Sequence, residues 1–229
     1  MPPTLHSLFT HLLPTTSLAS PPLKPHHPSL TPQIAALHLH PTLEALLHIL
    51  NHDLPSAHFL VRHMQAAPAV EGMLLHGVLH RAEGDFDNAR AWVRDVADAC
   101  EGFVPKRRAE GERLAGDVFE RVQGRDGGDL VAFVYGGNGG GGGLGEEVGA
   151  LIDDVEVWRG KKAGGEKEEE GKRIEARIRR EAERVREWCE AKFGGGEFRD
   201  ATKAWVKNSE EINKISGDMV SGGKGHREF

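Results

Sequence analysis

The sequence predicts an all-α protein made of helical hairpins packed into one compact domain, and three observations point there. Four stretches repeat apolar side chains at three- and four-residue spacing: "TLEALLHIL" (42–50), "SAHFLVRHM" (56–64), "VEGMLLHGVLHRA" (70–82) and "FDNARAWVRDVADAC" (86–100). Turn signals at Asp53-Leu54-Pro55 and Glu83-Gly84-Asp85 split these stretches into pairs. Further on, Ile174, Ile178, Val185, Trp188 and Cys189 form an apolar stripe along a charged run, as on one face of a long helix.

Residues 1–35 come first and read differently. They hold eight of the twelve prolines, mixed with Ser, Thr and His, which predicts a disordered or weakly ordered arm before a helical domain at 36–229. The arm has no basic start and Pro14 interrupts its apolar run, so it is not expected to be a targeting segment. In the hairpins, Ser56 and Asp87 are N-cap or first-turn residues. Two tracts too poor in apolar groups to offset their ordering entropy, within 136–145 and 160–172, are expected to be flexible loops, one Gly-rich and one charged.

The composition excludes several functions. Residues 1–43 carry +1, 44–100 carry −4, 101–158 carry −6 and 159–229 carry +3, so no block is a basic footprint and nucleic acid is not an expected partner. No apolar run is long enough for a membrane span, so no membrane partner is expected. Cys100 and Cys189 are the only cysteines and have no metal-ligand spacing, which fits a reducing, cytoplasmic setting without disulfides.

Sliding the chain on itself by 32 residues sets 45–64 against 77–96. Leu47/Leu79, His48/His80, Asp53/Asp85, Ala57/Ala89, Val61/Val93 and Arg62/Arg94 coincide. Small Gly77, then Gly84-Asp85-Phe86 at the turn and Ala89 beyond it, make the second copy similar to the tetratricopeptide (TPR) repeat, where small residues let two helices cross closely. A third, more distant copy is read in 185–206, with Val185, Trp188, Cys189, Gly196-Glu197-Phe198, Ala201 and Trp205 in the same order. The period of 32 departs from the roughly 34 of that family, and His52 stands where the turn glycine belongs. The run "HGVLHRAEGDFDNARAW", with "KNSEEINKISGDMVSGGKGHREF", also resembles a fungal protein family with distant bacterial relatives and no known activity.

The TPR resemblance implies a non-enzymatic binding or scaffold module whose concave face takes a protein or peptide partner without a cofactor. Arg62, Arg81, Asp85, Asn88 and Trp92 are its expected contacts, and a homodimer could cover exposed faces. The alternative is chemical. His76 and His80 lie one helical turn apart, and Glu83 continues their face as a candidate acid or base. With His58 or His63 from the neighbouring helix they could hold a divalent transition metal. Gly77 stands where a His-Glu-x-x-His protease helix needs glutamate, so that class is excluded. The Gly tract matches dinucleotide-binding spacing only through its richness in glycine, and no Gly-Lys-Ser/Thr closes it as a P-loop.

Overall fold

The computed structural model describes residues 3–20, 24–136 and 146–206. Ten α-helices account for most of them: α1 (Leu5–Leu12), α2 (Thr31–Ala35), α3 (Pro41–Leu50), α4 (Leu54–Val61), α5 (Val70–Glu83), α6 (Phe86–Cys100), α7 (Gly116–Val122), α8 (Leu130–Tyr135), α9 (Glu146–Gly160) and α10 (Gly165–Phe193). Among the described residues, extended pairing is limited to one antiparallel bridge, Phe103 with Arg113. No helix among them is long and apolar enough to cross a membrane.

Helices α3/α4 and α5/α6 are the two expected hairpins, and their turns are built alike. Each first helix ends in a left-handed residue, His52 (φ 56°) or Gly84 (φ 90°). The next amide then donates five residues back, Asp53 N–H to His48 O and Asp85 N–H to His80 O, both 2.9 Å. This is a Schellman-type stop. The same aspartates cap the following helices, accepting from the amides of Ser56 and Asn88. The 32-residue repeat is thus a repeat of turn chemistry. Gly77 sits where α5 meets α6, and a Cβ there would lie 3.3 Å from Trp92 Cβ.

Helix α5 is the centre of the fold. It packs against α3, α4 and α6, and twelve of its fourteen residues are buried. Helix α10 runs for 29 residues and packs on α3, α8 and α9, with Ile174, Ile178, Val185, Trp188 and Cys189 inward as the stripe predicts. Both cysteines are free and buried, and burial first of all raises their thiol pKa values.

Three expectations are corrected. The proline-rich segment 1–35 is not a weakly ordered arm where it is described. Thr4 and Ser7 form a capping box at the start of α1, and Leu5, Leu8, Phe9 and Leu12 are buried at i, i+3, i+4 and i+7. Ile34 of α2 is wholly buried as well, with Pro32 in a first turn where its missing N–H costs nothing.

The charged tract at 160–172 is not a loop throughout, because α10 begins at Gly165. Trp158 Nε1–H donates to Lys167 O (2.9 Å) and thereby gives this polar turn an aromatic surface to lie on. Of the Gly-rich tract, residues 137–145 fall outside the described residues.

The third hairpin does not form. Between Gly194 (φ 85°) and Val206, the last described residue, the helical structure is one 3₁₀ turn, Ala201–Ala204. Three consecutive glycines weaken any helical continuation, and the aromatics find partners elsewhere. Phe198 meets His40 edge-on and Trp205 stacks on His63. Hydrogen bonds from Phe198 N–H to His38 O (2.6 Å) and from Val206 N–H to His63 O (2.9 Å) lay this segment along the first hairpin as a strap.

Candidate functional site

Helices α4 and α5 lie side by side, and their histidines meet. His76, His80 and Glu83 occupy i, i+4 and i+7 of α5, one face of that helix. Helix α4 brings His58 to the same place. Its Nε2 lies 3.2 and 3.3 Å from the two Glu83 oxygens, and His80 Nδ1 lies 3.3 Å from Glu83 Oε2. His58, His80 and Glu83 each present one ligand atom, all within 4.8 Å of one another.

His76 lies beneath this trio. Its ring stacks between His80 (4.9 Å) and Trp92 of α6 (4.3 Å) and meets His58 edge-on at 5.3 Å. Burial, then the neighbouring His80 and His58 and the Arg62 charge, lower its pKa to about 2, so it is neutral at physiological pH. Burial alone would raise Glu83. Hydrogen bonds from His58 and His80, together with the charges of those rings, outweigh it and bring the carboxyl down to about 2. At neutral pH the site therefore holds a carboxylate beside imidazoles. The Nδ1 atoms of His58 and His76 are buried without a hydrogen-bond partner among the described residues.

Other candidates lie elsewhere. His63 does not join the cluster, because its Nδ1 bonds Phe59 O (2.8 Å) and its ring carries Trp205. Arg81, expected on a partner surface, is 2% exposed. It donates to both oxygens of Glu181, at 2.8 Å from Nη1 and through a shorter Nη2 bond, while the Tyr135 hydroxyl donates to the same carboxylate. This bidentate pair ties α5, α8 and α10 together and is no recognition element. Its register in the hairpin could have shown that, since position 81 aligns with wholly buried Ile49.

Asp85 and Asn88 are engaged with each other at the start of α6 (Asn88 Nδ2 to Asp85 Oδ2, 2.6 Å), and Trp92 is half-buried against His76. Arg62 alone of the five expected contacts is exposed. Arg90, from the acidic-basic face of α6, reaches Asp153 and Glu156 of α9 as a helix-to-helix pair.

Sequence reasoning missed a second site-like place altogether. It includes His40, Glu71, Lys192, Phe193, Phe198 and Trp205 around a groove of about 720 Å³. These residues come from distant parts of the chain, and the only local signal was Glu71, one acid inside the apolar run "AVEGMLL".

Comparison with protein-family models, with curated proteins and with solved structures returns no match.

Proposed function

We propose that this is a metal-binding helical protein, holding a divalent first-row transition ion through His58, His80 and Glu83. The observation that carries the reading is the convergence of these three ligand atoms from two helices within 4.8 Å. Two imidazoles and a carboxylate, with no thiolate, suit Zn²⁺, Fe²⁺ or Mn²⁺. Three protein ligands leave room for water or a substrate oxygen, and a bound ion would supply Lewis acidity there.

The chain's own residues do the positioning. Glu83 is already ionised, so it needs no proton removed before ligation. His76, neutral and clamped between Trp92 and His80, holds the plane of the His80 ring.

Metal analysis of untagged protein after loading with Zn²⁺ or Co²⁺ tests this. One equivalent is expected in the native chain and in His63→Ala, and its loss in His80→Ala and Glu83→Gln. Binding that survives both of those substitutions would overturn the assignment.

A TPR-like binding module for a protein or peptide is the second reading, and the near-identical turns of the two hairpins favour it. Arg62 is the expected contact left open to such a partner.

A further inference from the structure

The groove of about 720 Å³ is separate from the histidine cluster and shares no lining residue with it. Its floor is polar but already satisfied. Glu71, 1% exposed, accepts from Trp188 Nε1–H and from Lys192 Nζ, each at 2.7 Å. Lys192 also donates to the carbonyls of Arg121 (2.8 Å) and Val122 (3.1 Å), which uses all three ammonium protons. Glu71 and Lys192 therefore cancel and offer a ligand no net charge. His40 adds none either, since burial and then the Lys192 charge lower its pKa to about 4.

The walls are flat and aromatic. Phe193 stacks on His40 with centroids 3.7 Å apart and planes 2° from parallel, Phe198 stands beside them, and Trp205 is 38% exposed. Around the mouth stand Arg121, Arg125 and Lys203, all exposed, with Glu120 as the opposing acid among the lining side chains. The mouth thus carries an excess of positive charge in a chain whose net charge is −6. The volume falls in the roughly 300–1,000 Å³ range of small-molecule sites.

We infer that this groove binds a planar aromatic anion, its ring against Phe193, Phe198 and Trp205 and its carboxylate or other oxyanion toward Arg121, Arg125 and Lys203. Aromatic faces supply the apolar contact and the exposed cations select the sign of charge.

Calorimetric titration of the full chain with three probes sharing one ring system tests it: 2-naphthoate, neutral 2-naphthol and 2-naphthylmethylammonium. Naphthoate is expected to bind roughly tenfold or more tightly than naphthol, and the cation weakest. The double variant Arg125→Ala/Lys203→Ala, altered only at exposed positions, should bring naphthoate close to naphthol. Trp205→Ala should weaken both, and His80→Ala should leave naphthoate binding intact. Equal affinity for the three probes, no binding of naphthoate at millimolar concentration, unchanged affinity in the double variant, or loss in His80→Ala would each overturn the assignment. None of these outcomes depends on whether His58, His80 and Glu83 hold a metal.

Discussion

The two hairpins share one turn and put it to opposite uses. In the first, His48 Nδ1 lies 3.2 Å from Asp53 Oδ2; in the second, the aligned His80 Nδ1 lies 3.8 Å from Asp85 Oδ2. The first pair is buried, because the preceding segment covers it. The Thr31 hydroxyl donates to Asp53 (2.7 Å), and Asn51 bonds both the amide and the carbonyl of His27. Over the second turn Arg159 of α9 donates to Ala82 O (2.9 Å) and lies above the Phe86 ring, but the His80–Asp85 side chains stay partly exposed, and Glu83, at the position of Asn51, turns to His58. A histidine-aspartate turn is therefore a packing device by itself. It becomes part of a candidate site only where its outer side stays accessible and further ligands arrive from a neighbouring helix.

The largest test of this contrast is at position 81, where the second hairpin carries Arg and the first carries Ile49. Arg81→Ile should destabilise by about 3–5 kcal/mol in denaturant unfolding, because Glu181 would be left buried and unpaired. Adding Glu181→Leu should recover most of that loss. If the single variant is as stable as the parent, the ion pair does not separate the hairpins.

Acid provides the next test. His76 binds a proton in the unfolded chain below its ordinary value of 6.5 but in the folded chain only near 2. Protons thus favour unfolding throughout that window, and stability falls as pH drops below 6.5, by at most about 1.4 kcal/mol per pH unit for this one group. His40, lowered to about 4, acts in the same direction between 6.5 and 4. Unfolding midpoints from pH 7 to 4 should show a shallower slope in His76→Phe than in the parent. An unchanged slope would place an accessible, titrating ring at position 76. The aligned residue of the first hairpin is Glu44, so the part of the acid sensitivity that comes from this helix position belongs to the second hairpin.

The smallest effect concerns the caps. Asp53→Ala and Asp85→Ala each remove an N-cap and should cost about 0.5–2 kcal/mol by thermal or chemical unfolding. Asp53→Ala should cost more, since it also leaves the Thr31 hydroxyl and His48 without their buried partner. Equal losses would mean that the burial difference between the turns has no energetic weight.

The hairpins were legible because their determinants are local. Apolar spacing, a capping aspartate and a small residue at the helix crossing all lie within a few residues of what they shape. Helix α1 was hidden by the prolines around it, although Leu5, Leu8, Phe9 and Leu12 already follow helical spacing. Residues 185–206 misled for the opposite reason. The order of small and aromatic residues matched a hairpin, yet Phe198 and Trp205 pack on His40 and His63, which no local pattern announces.

The candidate metal cluster was half legible. The spacing on α5 gave His76, His80 and Glu83, but the choice of His58 over His63 depends on how α4 is rotated against α5. The groove could not be read beyond the lone acid Glu71, being assembled from α3, α5, α7 with the loop after it, α10 and the strap.

The strap has a consequence for how the molecule assembles. Val206 reaches back to His63 and closes a loop that spans most of the polypeptide. Such closure loses chain entropy that non-local contacts must offset, so docking of the strap is expected to follow that of α10. Trp205, the groove's exposed aromatic wall, is set in place by that same closure. A ligand resting on Trp205 would therefore also favour the docked strap over an undocked one by mass action.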